Sequence, residues 1–255
     1  MGSPCYPESS RKKRLLAYAS QAVRQVRHLV SYVADHFGKQ VSIWTIKRTL
    51  KAAGYRYKRM RRSLKSKRDE ALFAFFEQEI SQLQALEEQG EIELYYFDEA
   101  GINLTPAIPY AWQPKGKRYQ LPSSRSQNLT VLGFMNRQCQ CESFLFEGAA
   151  NSQVVVACMD AFAEQITKKT VVILDQASIH TSKQVVENIP QWKQQGLFLQ
   201  FLPPYCPELN HIEILWKFVK YYWLDLSAYE NMKALKNNLL EVLQNIGTKY
   251  QITFA

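Results

Sequence analysis

No stretch of about eighteen apolar residues occurs in this 255-residue chain, so it offers no membrane-spanning helix. The first fourteen residues are polar and then basic, without the apolar centre that a signal peptide needs. Cysteine is sparse and odd in number, and five do not make a disulfide framework. Cys139 and Cys141 stand one residue apart, yet no second pair or neighbouring histidine completes a zinc site. Reduced thiols in a cytoplasmic protein are the expectation. A hydrophobic fraction of 46% argues against wholesale disorder, and the length suffices for one large or two modest domains.

Acidic residues are nearly absent from residues 1–68, where only Glu8 and Asp35 stand against eighteen Lys or Arg. The net charge of +9 therefore divides into +16 over this stretch and −7 over the rest. Solubility alone does not require such segregation, which suggests a nucleic-acid-binding arm joined to something else. From Ala22 the residues Val23, Val26, Leu29, Val30, Val33 and Phe37 form one helical stripe, ended by Gly38. Ser42 is placed to cap a second helix with Ile43, Ile46 and Leu50 inward, closed by Gly54. The short connection suits a helix-turn-helix, which leaves Thr45, Lys47, Arg48 and Lys51 for a DNA major groove.

Tyr55, Arg56, Tyr57 and Lys58 alternate aromatic and basic like a short wing strand. Arg59, Arg61, Arg62, Lys65, Lys67 and Arg68 follow as a trail suited to phosphates. The plainer alternative is a helical hairpin with a solvated basic face. Residues 66–89 are expected to form a connecting helix with Leu72, Phe75, Phe76, Ile80, Leu83 and Leu86 toward a core. The expected organisation is a basic DNA-binding region at 1–68, the connecting helix at 69–91 and a larger domain at 92–255.

In the larger domain, two apolar runs of strand length close on aspartate: residues 93–97 before Asp98, and 170–174 before Asp175. An aspartate ending a buried strand suits holding a cation better than packing. A third carboxylate, Glu213, falls in the first turn of a helix carrying Ile212, Leu215, Trp216, Val219 and Trp223, after Asn210 as N-cap. The stiff segment Leu-Pro-Pro-Tyr-Cys-Pro at 202–207 precedes it. Acid at a helix N-terminus is also favoured by the helix dipole alone. Strands at 93–98, 128–135, 143–147, 171–175 and 197–202, with helices at 151–165, 183–195, 212–223 and 231–247, predict an α/β domain with a mixed sheet.

The motifs FDEAG at 97–101, LDQASIH at 174–180 and LPPYCPELNHIE at 202–213 resemble the three acidic motifs of DDE transposases. The resemblance is to the mariner superfamily in its bacterial insertion-sequence, six-thirty type branch. It covers about residues 95–223, with a weaker N-terminal match, and Asp175 and Glu213 lie 38 positions apart, close to that branch's spacing. Relatives usually carry a further helix-turn-helix ahead of this one; about twenty residues precede the first predicted helix here.

The resemblance implies an RNase H-like, integrase-like catalytic domain behind a small helix-turn-helix or winged-helix domain. In that fold the first and fourth strands are neighbours, which would bring Asp98 and Asp175 together. Catalysis and metal binding then fall to Asp98, Asp175 and Glu213. A carboxylate set without thiolates favours Mg2+, or Mn2+ in its place. Two ions about 4 Å apart, with Asp98 bridging them, suit cleavage by water and then strand transfer by a DNA 3′-hydroxyl.

Partners implied are double-stranded DNA, as terminal inverted repeats and target, and further copies of the chain, as a homodimer or higher assembly on paired ends. The bacterial nucleoid is the expected location. His180 either orients DNA or a bound water, or makes an ordinary helix-cap contact. Glu99 is expected on the opposite strand face with a minor role, and Glu208 to be solvated. Trp112, Lys115, Lys117 and Arg118 suit a DNA backbone contact, or else an ordinary hairpin. Trp216, Tyr221, Tyr222 and Trp223 are expected to pack rather than to stack on bases. Two other readings stay open: a truncated, non-catalytic transposase acting as a DNA-binding repressor, and a nuclease acting on RNA–DNA hybrids.

Overall fold

In the computed structural model, residues 8–21, 25–57, 65–107, 120 and 128–254 are described. The chain forms two compact units, Met1–Arg62 and Ser63–Ala255. Among the described residues no helix is long and apolar enough to cross a membrane.

The first unit holds α1 (Glu8–Ala19), α2 (Val26–Phe37) and α3 (Ile43–Ala52). Helix α1, which the apolar pattern did not suggest, adds Leu15 and Ala19 to a small core of Leu29, Val33, Phe37 and Ile46. Gly38 ends α2 in the left-handed region at φ 61°, and the Ser42 hydroxyl accepts the Thr45 N–H to start α3. Ile43, expected inward, is 46% exposed. It sits in the first turn, one residue before Trp44, where the helix leaves the core. The expected wing strand does not form over residues 55–57. Tyr55 instead donates its N–H to Leu50 and its hydroxyl to the Leu16 carbonyl, so it closes the end of α3.

In the second unit five strands form one sheet in the order β3-β2-β1-β4-β5. They are β1 (Glu93–Ile102), β2 (Leu129–Asn136), β3 (Cys141–Glu147), β4 (Thr170–Leu174) and β5 (Leu197–Phe201). β1, β2 and β3 pair antiparallel, while β4 lies parallel to both β1 and β5. This is the mixed α/β sheet of the RNase H-like class. Helices α5 (Ser152–Ala163) and α6 (Lys183–Gln194) cover one face with Val155, Met159, Val185 and Trp192. Helices α4 (Glu70–Glu88), α7 (Ile212–Phe218) and α8 (Met232–Gln244) cover the other with Ile80, Ile212, Trp216 and Leu239.

Several expected boundaries move for physical reasons. Helix α4 starts at Glu70 because the Asp69 carboxylate caps the N–H groups of Ala71 and Leu72. Residues 65–67 form a separate 3-10 turn. Phe73 packs on the core in place of Leu72 and Phe75, which are 39% and 55% exposed. Strand β1 runs four residues past Asp98, because β2 pairs with it as far as Ile102. Helix α7 ends at Phe218, and residues 219–223 continue as a π-helical turn that leaves Tyr221 and Tyr222 exposed rather than packed.

Candidate functional site: a carboxylate cluster at the open end of the sheet

The parallel register of β1 and β4 runs from Glu93 opposite Thr170 to Tyr96 opposite Ile173. Two residues further on, the same register sets Asp98 level with Asp175, where β4 has ended and the strands part. Ligands of open α/β sheets gather at such strand C-terminal ends. Gly133 of β2 pairs directly opposite Asp98 of β1. A Cβ there would come within 2.8 Å of Trp216 Cη2, so the glycine is what lets α7 lie against the sheet.

The loop ahead of α7 is fastened to the same place. Asn210 does not cap the helix as expected; His211 occupies the cap position without a side-chain bond. The buried Asn210 amide instead donates to the Phe97 carbonyl at 3.0 Å. The His211 ring stacks between Tyr96 at 4.5 Å and Phe254 at 5.3 Å. The His211 side chain thus finds an aromatic seat. Tyr205 takes the left-handed conformation at φ 62° in this loop, a strained position for a residue with a side chain.

The three carboxylates interact electrostatically. Burial, followed by the charges of Glu213, Glu99 and Asp175, pushes the Asp98 carboxyl up to about 8, against one backbone hydrogen bond. Glu213 is raised by burial and by Asp175 and Glu99, with Lys220 opposing. Asp175 moves the other way, because hydrogen bonding from His180 and the Ala177 N–H favours its ionised form over the burial that opposes it.

His180 Nδ1 is 2.7 Å from Asp175 Oδ1, and its Nε2 is 3.0 Å from Glu99 Oε2. The second contact is an ion-pair approach without the alignment of a hydrogen bond. Burial disfavours charging this ring, yet the two carboxylates outweigh it and push His180 up to about 9. Fully buried, His180 is not placed to meet DNA. Glu99 lies on the opposite face from Asp98, as strand alternation requires, but its charge reaches both Asp98 and Glu213.

Glu208 is not simply solvated. Lys65 Nζ lies 2.8 Å and Arg68 3.7 Å from its carboxylate, and Arg68 also pairs with Glu70. Lys65 and Arg68 thus leave the expected phosphate trail to hold the loop before Glu213. Lys67 sits over the Tyr205 ring of that same loop at 5.9 Å.

In the first unit, Lys47, Arg48 and Lys51 lie exposed on α3 as expected, joined by Trp44 at 77% exposure. Thr45 is half-buried and bonded to Ser42. Arg27, Lys47, Lys51 and Arg56 line a cleft of about 820 Å³ with Trp44 and Tyr57. Lys58, Arg59, Arg61, Arg62, Trp112, Lys115, Lys117 and Arg118 lie outside the described residues.

Chemically, Asp98, Asp175 and Glu213 offer hard oxygen donors whose mutual repulsion a divalent cation would relieve, so the residues present fit Mg2+ or Mn2+. Among the described residues no three His, Cys, Asp or Glu side chains stand as a ready-made metal cage. Burial pushes the Cys141 and Cys158 thiols up to about 12, so neither is a thiolate near neutral pH.

Residues 93–236 match the family model described as DDE superfamily endonuclease, and residues 21–80 match one described as winged helix-turn helix. An insertion element IS630 uncharacterized 39 kDa protein of Shigella sonnei is 24% identical over 187 residues. That match covers 71% of this chain and 52% of the relative, so the chain spans about half the length of the curated relative it matches. The fold is similar to that in the Mos1 strand transfer complex, with TM-score 0.59, 14% identity, and coverage of 96% of this chain and 73% of that one. It is also similar to the Mos1 mariner paired end complex with Mn, with TM-score 0.57, 13% identity, and coverage of 96% and 74%.

Proposed function

The chain belongs to the DDE superfamily endonucleases, and on that premise we propose that it is an insertion-sequence transposase of the mariner type. It cuts DNA at the ends of its element and joins the freed 3′ ends to target DNA. The observation that carries this reading is the β1–β4 register that sets Asp98 level with Asp175 where the strands separate, with the loop before Glu213 tied to Phe97 through Asn210.

Asp98, Asp175 and Glu213 are the residues that would hold Mg2+ or Mn2+. When bound, such ions supply Lewis-acid activation of the attacking oxygen and stabilise the leaving one. The chain's own contribution is to bring a half-buried Asp98 together with two more exposed acids and to fix α7 against the sheet through Gly133 and Asn210. Asp98 must lose its proton for its carboxylate to act, which a bound cation would favour.

Recognition of element ends falls to α3. Lys47, Arg48 and Lys51, with Trp44 beside them, present cations and an aromatic edge to the major groove and its phosphates. Lys58, Arg59, Arg61, Arg62, Lys115, Lys117 and Arg118 extend this to the DNA backbone. The DNA partners are duplex terminal repeats and a target. Two copies of the chain on paired ends, at the bacterial nucleoid, complete the reading. Its support is the winged helix-turn-helix match and the likeness to paired-end and strand-transfer complexes of another transposase. The experiment that tests it is cation-dependent nicking of plasmid DNA bearing the element's own ends.

A further inference from the structure

We infer that His180, backed by Glu99, is a positioning residue for Asp175: it holds one carboxylate oxygen so that the other stays available to a cation. The inference rests on Asp98, Asp175 and Glu213 being the cation-holding set.

Both bonds to Asp175 end on the same atom. The His180 ring reaches Oδ1 at 2.7 Å and the Ala177 N–H reaches it at 2.9 Å. A carboxylate only accepts, so Nδ1 is the donor. Oδ2 accepts no hydrogen bond from a described residue, and the Asp175 side chain is 52% exposed. A free aspartate turns easily about its last torsion, because that well is broad. Two donors on one oxygen fix the plane of the group and hence the direction of the other oxygen.

The ring is itself held from behind. Glu99 approaches Nε2 at 3.0 Å, and the Phe97 ring packs against the imidazole at 5.3 Å. Glu99 and Phe97 come from β1, whereas His180 follows β4. The contact chain Glu99–His180–Asp175 therefore crosses between the two strands at the point where they separate. A helix-cap contact would account for one nitrogen of the ring. It gives no reason for a fully buried ring to meet a carboxylate on each side. Polar partners that orient a ligating side chain typically change metal affinity 10–100-fold when removed.

The test is Mn2+ binding to the full chain by electron paramagnetic resonance, with metal-free thermal melting alongside. His180→Asn keeps an amide donor near the Nδ1 position and gives up the Glu99 contact. His180→Gln reaches toward Glu99 but loses the donor to Asp175. Mn2+ affinity is expected to fall about tenfold in His180→Gln and to recover most of that loss in His180→Asn, with duplex DNA binding unchanged in both. Without metal, a downfield imidazole N–H resonance is expected in the parent and absent in Asp175→Ala.

Equal Mn2+ affinity in the parent and His180→Gln overturns the inference, as does a loss in His180→Asn as large as in His180→Gln. Should His180→Gln fail to fold, His180→Phe, which keeps a ring in the pocket but has no donor, carries the test, with a loss of the same size expected and no loss overturning the inference. A parent that binds no Mn2+ contradicts instead the reading of the carboxylates on which the inference stands.

Discussion

Asn210 donates its side-chain amide to the main-chain carbonyl of Phe97 across 3.0 Å, joining the loop before Glu213 to the residue before Asp98. The two are 113 positions apart in sequence, and both lie in the interior. This bond makes the third acidic motif part of the sheet that carries the first. Asn210→Ala leaves the Phe97 carbonyl without that donor, and equilibrium unfolding in urea should show a loss of about 1–3 kcal/mol. DNA cleavage should fall further than DNA binding, since the loop carrying Glu213 is what comes loose. Cleavage and stability both at parental levels would show that the tie is dispensable.

Gly133 works by absence. Any side chain there meets Trp216 at 2.8 Å, so Gly133→Ala should cost about 1–3 kcal/mol through overpacking. Thermal melting of Gly133→Ala beside Gly133→Ala with Trp216→Phe checks the cause. The double variant, with the indole trimmed, should recover part of the loss. No recovery would point away from this contact.

Asp98 gives the metal-free protein a distinctive pH response. Its carboxyl is held up to about 8 in the fold, whereas an unfolded aspartate titrates near 3.8. Between those values the native state keeps a proton that the unfolded chain has released, so stability falls as pH rises through this window. Urea unfolding of chelator-treated protein from pH 4.5 to 8 should show a shallower decline for Asp98→Asn. Adding Mn2+ at pH 8 should raise the melting temperature of the parent and not that of Asp98→Asn. Matching pH slopes would remove Asp98 as their source.

Glu208 predicts the opposite sign on a smaller scale. Hydrogen bonding from Lys65 holds its carboxyl below the usual range, so its contribution is present above about pH 4.5 and lost as pH falls. The side chain is 40% exposed, which limits the contribution to under about 1 kcal/mol. Glu208→Gln should be slightly less stable than the parent at pH 7 and equal to it at pH 3. A difference that persists at pH 3 would assign the effect to packing.

The places of Asp98, Asp175 and Glu213 in the fold were legible because each closes or opens an element whose apolar pattern is strong: residues 93–97, 170–174 and 212–219. The register that sets Asp98 level with Asp175 follows once β1 and β4 are taken as neighbours. What hid from the sequence were contacts that depend on distant chain segments. Strand alternation correctly put Glu99 on the far face, but nothing local told that the turn after Asp175 brings His180 there. Asn210 has the composition of a helix cap, yet a more distant acceptor, the Phe97 carbonyl, claims its amide. Leu72 and Phe75 fit the helical stripe of α4 as well as Phe73 does, and only the position of the sheet chooses between them. β1 outran its expected end because Glu99, Ala100 and Gly101 have weak strand preference and are carried by pairing with β2.

The central claim is that Asp98, Asp175 and Glu213 form one cation-dependent DNA-cutting site. The most direct measurement is nicking of supercoiled plasmid carrying the element's own ends, with Mg2+ or Mn2+, by the parent, Asp175→Ala and Glu213→Gln. The account predicts cuts at the ends by the parent alone, abolished by chelator, while all three proteins retard the same DNA in a gel. Retardation without any cutting by the parent, or cutting that survives in either variant, would contradict it.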